Sequence, residues 1–255
     1  MSGCSPKSSL PDLDDLDVPR SVGVDLTNPC ASCEIRELSI CGVLQPAELD
    51  ELIRILTRLE CQAHDPIIDE GEAANYVFNV TGGAVKLYKL LPDGRRQITG
   101  FLFEGDFLGI AMNETYQYSA EAVNDVSLCR FNRRKLEALM DRFPKLERQL
   151  LSMASHELAQ AQDQMLLLGR KTAQEKLCSF LLRLSDRIAR TGADPSIVKV
   201  PMSRNDIGDF LGLTTETVSR TFTNLKKTGA IRLLEGGRVQ IGDIDQLRDL
   251  AEGAD

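Results

Sequence analysis

The 255-residue chain has only two histidines and 5% aromatic residues. It has no Gly-rich phosphate loop and no nucleophile motif. With so few imidazoles, the nucleophile–base and acid–base groupings of an enzyme have little to be built from, and a catalytic role is set aside. No stretch approaches the roughly 20 consecutive apolar residues that a membrane span needs. The opening, MSGCSPKSSLPDLDDLDVPR, lacks the basic start and apolar run of a secretory signal. These absences place the expected location in the cytoplasm, with no membrane partner. Thiols stay reduced there, and clustered cysteines more often bind metal or do redox chemistry than form disulfides. There are seven cysteines, an odd number, which argues against a complete disulfide set. Internal repeats are missing as well.

What is present is unevenly distributed. Three cysteines, Cys30, Cys33 and Cys41, fall within twelve residues in a C-x2-C-x7-C spacing. The net charge of −8 argues against a protein that coats nucleic acid nonspecifically. Residues 1–29 carry five Asp against one Lys and one Arg and are broken by four prolines, which reads as a flexible acidic arm. Residues 195–240 run the other way. Lys199, Arg204, Arg220, Lys226, Lys227, Arg232 and Arg238 exceed Asp206, Asp209, Glu216 and Glu235 by three charges. Phosphate contacts are sought in this segment.

Periodicity supplies the elements. PAELDELIRILTRLE, 46–60, begins with a helix-favouring proline and has helical spacing at Leu49, Leu52, Ile53 and Leu56. From about 61 to 131, short β-rich runs alternate with turn signals at Gly82-Gly83, Pro92-Asp93-Gly94 and Gly105-Asp106, and AVNDVSLCRF reads as a further strand. That texture predicts an antiparallel roll or barrel. Residues 133–190 are mostly helix. Within them Leu151, Ala154, Leu158, Ala161, Met165 and Leu168 follow gaps of 3, 4, 3, 4 and 3, the seam of a two-stranded coiled coil, so a homodimer is expected. Leu146, Leu150 and Met153 are expected to pack on the chain's own β domain.

MSRNDIGDFLGLTTETVSRTFTNLKKTG, 202–229, carries the strongest signal. Ser203 and Asp206 form a capping-box pattern, and Gly208 is small where a second helix must approach. Gly212 suits a left-handed turn. Val218, Phe222 and Leu225 give the second helix an apolar face, and Thr215, Glu216, Ser219, Arg220 and Thr223 a polar one. This is a helix-turn-helix, and AIRLLEGGRVQIGD adds the hairpin that completes a winged helix. Double-stranded DNA is the expected partner, with Arg220 suited to guanine, Glu216 to cytosine, Ser219 and Thr217 to phosphate or a base edge, and Lys226 and Lys227 to phosphates.

In this order the roll, long helix and winged helix-turn-helix resemble the CRP/FNR superfamily of transcription regulators over nearly the whole chain. MSRNDIGDFLGLTTETVSRTF fits the family's helix-turn-helix pattern, and GDFLG, 105–109, fits its roll. Glu216, Ser219 and Arg220 resemble the FNR/FixK branch, which implies a TTGAT-type inverted repeat as target. The resemblance implies an α+β fold: an N-terminal antiparallel β-roll of the cyclic-nucleotide-binding type, a dimerisation helix and a C-terminal winged helix-turn-helix. The expected divisions are the arm 1–29, cysteine segment and roll 30–144, dimer helix 145–172 and DNA-binding domain 173–255. Where cyclic-nucleotide-binding members carry an arginine, ETYQYSAEA has Tyr118 before Ser119, so no cyclic nucleotide is expected.

FNR proteins hold a [4Fe-4S] cluster with three cysteines ahead of the roll and one inside it. Cys30, Cys33 and Cys41 match the first three, and Cys129 matches the fourth. Thiolates suit such clusters as soft anionic ligands. The x7 spacing resembles FnrN/FnrL-type proteins. The implied function is oxygen-responsive regulation, with RNA polymerase a further partner. A zinc site, with His64 or His156 as fourth ligand, and a constitutive FixK-like regulator without cluster sensing stay open. Cys178 and Cys61 read as core residues, and Cys4 as a single thiol with no site.

Overall fold

The computed structural model describes residues 4–6, 30, 33–110 and 114–253. The expected arm, 1–29, lies outside them except for Cys4–Pro6. Contacts group the chain into two compact units. One is Met1–Lys89 with Gly100–His156, and the other is Leu90–Thr99 with Glu157–Asp255.

The first unit opens with a two-residue strand β1 (Ser5–Pro6) and two 3-10 turns, Arg36–Leu38 and Ile40–Val43. Helix α1 (Pro46–Ile53) has a proline in its first turn and a capping box between Gln45 and Glu48. It ends sooner than its periodicity suggests. Leu56, expected on the helix, lies on strand β2 (Leu56–Cys61), because that segment pairs along its whole length with β9 (Val126–Asn132). Strands β3 (Pro66–Ile68), β4 (Tyr76–Gly82), β5 (Val85–Leu90), β6 (Arg96–Leu102), β7 (Phe107–Leu108) and β8 (Ser119–Ala122) fill the interval. AVNDVSLCRF is two strand segments parted at Val123–Asp125, with β8 ending at Ala122 and β9 starting at Val126. The strands form sheets ordered β1-β2-β9-β4-β7 and β3-β8-β5-β6, an antiparallel roll.

Alternation along these strands divides two cores. Leu59 and Cys61 of β2, Phe78 and Val80 of β4, and Val126 and Leu128 of β9 face the roll interior. Leu56, Val77, Cys129 and Phe131 face the other way. There they pack with Cys30, Ile40, Leu44, Leu49 and Leu52, with Leu136 and Leu139 of α2 (Arg133–Arg142), and with Leu146 of α3 (Pro144–Arg170). Leu150 and Met153 of α3 pack against this second core, as expected.

One correction concerns Cys4 and Cys61. Cys61 is a core residue, as read from sequence, and lies in the roll interior, but it is also bonded to Cys4 in a disulfide. Antiparallel pairing of Ser5 with Glu60 and Pro6 with Leu59 brings the two cysteines together. Sequence spacing gave no sign of it, since 57 positions separate them.

In the second unit, Gln164 of α3 donates to the Phe210 carbonyl at 2.8 Å, and Leu167 is buried. Helix α4 (Ala173–Arg190) starts with a capping box at Thr172 and Glu175 and buries Cys178 among Leu177, Phe180 and Leu181. Strand β10 (Ile197–Lys199), α5 (Arg204–Leu211), α6 (Thr215–Lys227), β11 (Ile231–Leu233), β12 (Arg238–Ile241) and α7 (Ile244–Glu252) follow. The wing is the sheet β10-β12-β11. Arg96 pairs with Asp206 at 2.8 Å and Asp209 at 2.9 Å, while Gln97 donates to the Asp209 carbonyl. Arg95, by contrast, pairs with exposed Asp93, two residues away.

Candidate thiol cluster and nucleic-acid interface

Cys30 and Cys129 are 6% and 9% exposed, and Cys33 and Cys41 are half-buried. Local backbone bonds set the three early thiols. Cys33 N–H donates to the Cys30 carbonyl, and Arg36 N–H to the Cys33 carbonyl. Cys41 sits in the second 3-10 turn, where its N–H donates to Ser39 Oγ. Cys129 comes from β9, directly opposite Arg58 on β2 and Asn79 on β4.

The four thiols are close enough to act on one another electrostatically. Burial pushes Cys129 up to about 12, with further upward pressure from Cys30, Cys41 and Cys33. Burial likewise pushes Cys30 up to about 11, reinforced by Cys41 and Cys33 and opposed by Arg58 and Arg36. Cys41 is raised by burial, against a hydrogen bond from Ser39. Burial outweighs the nearby Arg58, and Cys30 and Cys129 stay protonated at neutral pH.

The donor set fits an iron–sulfur group. It offers four sulfurs, soft anionic ligands once deprotonated. Asn79 is 2% exposed and faces the same side as Cys129, and its Oδ1 has no partner. Among the described residues, no three His, Cys, Asp or Glu side chains are gathered as a single metal ion would need. His64, one expected zinc ligand, is instead 3.2 Å from Glu121, and His156 lies exposed on α3. Asn79, Arg58 and Arg36 were missed in the sequence. Only the strand register singles out the first two.

In the second unit, the helix-turn-helix is built as its residues suggest. Ser203 and Asp206 cap α5 reciprocally, and Gly212 closes it at φ 63°. A Cβ on Gly208 would lie 2.7 Å from the Leu213 carbonyl oxygen, so the turn needs glycine there. Thr214 caps α6, with its hydroxyl accepting from Thr217 N–H. Val218, Phe222 and Leu225 are buried, while Glu216, Ser219, Arg220, Thr223, Lys226 and Lys227 are exposed on α6. Thr217 is half-buried, its hydroxyl 3.0 Å from that of Thr214. Thr215 is half-buried and donates to Asn205, an exposed residue the sequence did not single out. Bonds from its own backbone N–H and Thr214, with Arg220 one turn on, hold the Glu216 carboxyl below its ordinary value.

The α3 stripe is largely uncovered. Leu151, Leu158 and Met165 are 67%, 61% and 71% exposed. Ala161 is exposed and Ala154 half-buried, and Leu168 is half-buried beside Gly212.

Comparison with known proteins adds the family. Residues 175–250 match the Crp-like helix-turn-helix domain, and residues 58–143 match the cyclic nucleotide-binding domain. The nitrogen fixation regulation protein FixK of Bradyrhizobium diazoefficiens is 42% identical over 82% of this chain and 88% of its own. The chain belongs to the CRP/FNR family of transcription regulators. The transcriptional activator protein FnrL of Cereibacter sphaeroides is 36% identical over 87% of this chain and 91% of its own. The solved structure of FixK2 from Bradyrhizobium japonicum superposes with a TM-score of 0.72 at 39% identity, covering 77% of this chain and 97% of that one. The α+β fold read from the sequence is the family's fold. Among the described residues no helix is long and apolar enough to cross a membrane.

The raised thiols have a consequence for the metal-free protein. The folded state keeps protons on Cys30 and Cys129 that the unfolded chain releases near the ordinary thiol value of 9.0. Their contribution to stability is therefore full below that value and is lost as pH rises toward about 11 and 12. Urea unfolding across this window will show a steeper alkaline loss for the parent than for a Cys30→Ser, Cys129→Ser double variant. Parallel slopes would contradict the burial of these thiols.

Proposed function

We propose that this regulator senses oxygen through a [4Fe-4S] cluster held by Cys30, Cys33, Cys41 and Cys129. The observation that carries the reading is that Cys30, Cys41 and Cys129 pack in one core, with Cys33 held one turn from Cys30, so that three thiols from the segment before the roll meet one from β9. When bound, such a cluster supplies an oxygen-labile tie between its ligands. The rest follows from the chain's own packing. Cys30, Cys129, Ile40 and Leu146 share one core, with Leu150 and Met153 against it, so the cysteine segment and the start of α3 are packed on each other. A fixed segment favours one setting of α3, and a released segment frees it. The apolar stripe Leu151, Ala154, Leu158, Ala161, Met165 and Leu168 then pairs with a second copy or does not, a two-state equilibrium. Asp163, exposed just off the stripe and within electrostatic reach of Arg183, keeps the unassisted pairing weak by facing its mate.

In the dimer, two α6 helices stand about one turn of DNA apart, roughly 34 Å, over a TTGAT-type inverted repeat. Arg220 binds a guanine and Glu216 a cytosine, and Lys226 and Lys227 neutralise phosphates. RNA polymerase is the further partner, with the exposed tip Asp93–Arg95 as its candidate contact. The roll works without a cyclic nucleotide. Tyr118 stands where an arginine would meet the cyclic phosphate, and its hydroxyl accepts from Gly109 N–H at 2.9 Å. The protein acts in the cytoplasm.

A second reading is a FixK-like regulator without cluster sensing. It is favoured by the higher identity to FixK of Bradyrhizobium diazoefficiens, 42%, than to FnrL, 36%. Iron and acid-labile sulfide on anaerobically purified protein separate the two. About four of each per subunit, lost in air, are expected for the sensor. Their absence from protein whose DNA binding is unchanged by air would leave only the second reading. The base assignments are tested by competition binding. Arg220→Ala should lose about 1–3 kcal/mol of discrimination at one base pair, whereas Lys227→Ala should weaken all sequences alike.

A further inference from the structure

We propose that Cys4 and Cys61 are a reversible thiol–disulfide modification site for hydroperoxide-class oxidants, separate from the four-thiol site. Three observations carry this. The two cysteines are bonded, with Cα atoms 4.4 Å apart. Their approach is set by backbone pairing, β1 lying antiparallel on the edge of β2, so the pair is brought together by the fold as well as by the bond. Cys61 also points into the roll interior with Leu59, whereas Cys129, on the neighbouring strand, faces the core that holds Cys30. The two thiol sites are thus on opposite faces of one sheet and do not share sulfurs.

The environments of the two cysteines divide the chemistry. Cys61 is 3% exposed and Cys4 half-buried, so the oxidant meets Cys4 first. The Cys4 thiolate attacks the peroxide O–O bond. It becomes a sulfenic acid, and the departing oxygen takes a proton and leaves as water or alcohol. The Cys61 thiol then attacks the sulfenic sulfur, the S–S bond forms, and the hydroxyl leaves as water with the thiol proton. The two thiols give up two electrons and the peroxide accepts them. A small thiol such as glutathione reverses the step by exchange at the more open Cys4 sulfur. Once reduced, the Cys4 thiol has an acceptor at hand, since its sulfur is 3.8 Å from the Pro66 carbonyl oxygen.

Cys30, Cys33 and Cys41 all lie within the 57-position interval that the bond closes. Oxidation anchors that interval on β2 at both ends, and reduction leaves it covalently anchored only through Cys61. An oxidant signal can thereby act on the cysteine segment without using any of its thiols.

The test uses the full-length protein, reduced with a phosphine under nitrogen, desalted, exposed to stoichiometric hydrogen peroxide, quenched in acid and alkylated for peptide mass spectrometry. The expected product is a Cys4–Cys61 linked peptide that disappears on treatment with glutathione. The same peptide should form in Cys129→Ser, which lacks the four-thiol site. In Cys4→Ser, oxidation of Cys61 should slow by at least about tenfold, because the more accessible attacking thiol is gone. Peroxide that leaves Cys4 and Cys61 alkylatable while other thiols oxidise would overturn the proposal. So would Cys4 linked indiscriminately to Cys30, Cys33 or Cys41.

Discussion

Strand β9 sets the terms for the first unit. It is the middle strand of the five-stranded sheet, and a period of two sends its side chains to opposite faces. Val126 and Leu128 fill the roll, and Cys129 and Phe131 fill the core beneath it. A one-residue slip in its pairing with β2 and β4 would turn Cys129 into the roll interior, away from Cys30. Full-length pairing with β2 and nearly continuous pairing with β4 hold that register. The position of one thiol therefore rests on backbone hydrogen bonds that have no chemistry of their own.

The same face of the sheet joins the buried thiols to helix α3. Leu146 is fully buried in the core that contains Cys30 and Cys129. Whatever fixes the cysteine segment also fixes the packing beneath the start of α3. The apolar stripe on that helix stays open to solvent, an expensive arrangement for a lone subunit and a natural one for a helix awaiting a second copy. At the other end of the chain, Gly208 and Gly212 let two short helices meet closely enough to present α6 outward. The proposed function links these devices in series, from thiols to core to seam to DNA.

Much of this was legible in the sequence because it is local. The capping box at Ser203, the left-handed turn at Gly212 and the buried face of α6 depend on neighbours within a few positions. The stripe on α3 is a matter of helical period alone. The readings that failed depended on distant pairing. Leu56 has helical spacing with Leu52 and Ile53, but the β9 register claims it for a strand. Cys4 gave no signal because its partner is brought to it by a two-residue strand at the sheet edge. Asn79 and Arg58 take meaning only from standing opposite Cys129, a fact of register that composition and spacing do not carry.

In the proposed function, fixing the cysteine segment sets the strength of the α3 seam. Sedimentation equilibrium on anaerobic protein, before and after admission of air and alongside a Cys129→Ser variant, addresses it most directly. The expected result is a dimer that dissociates in air, and a variant that is monomeric under both conditions at the same concentration. A dimer of equal strength in all three samples would contradict it.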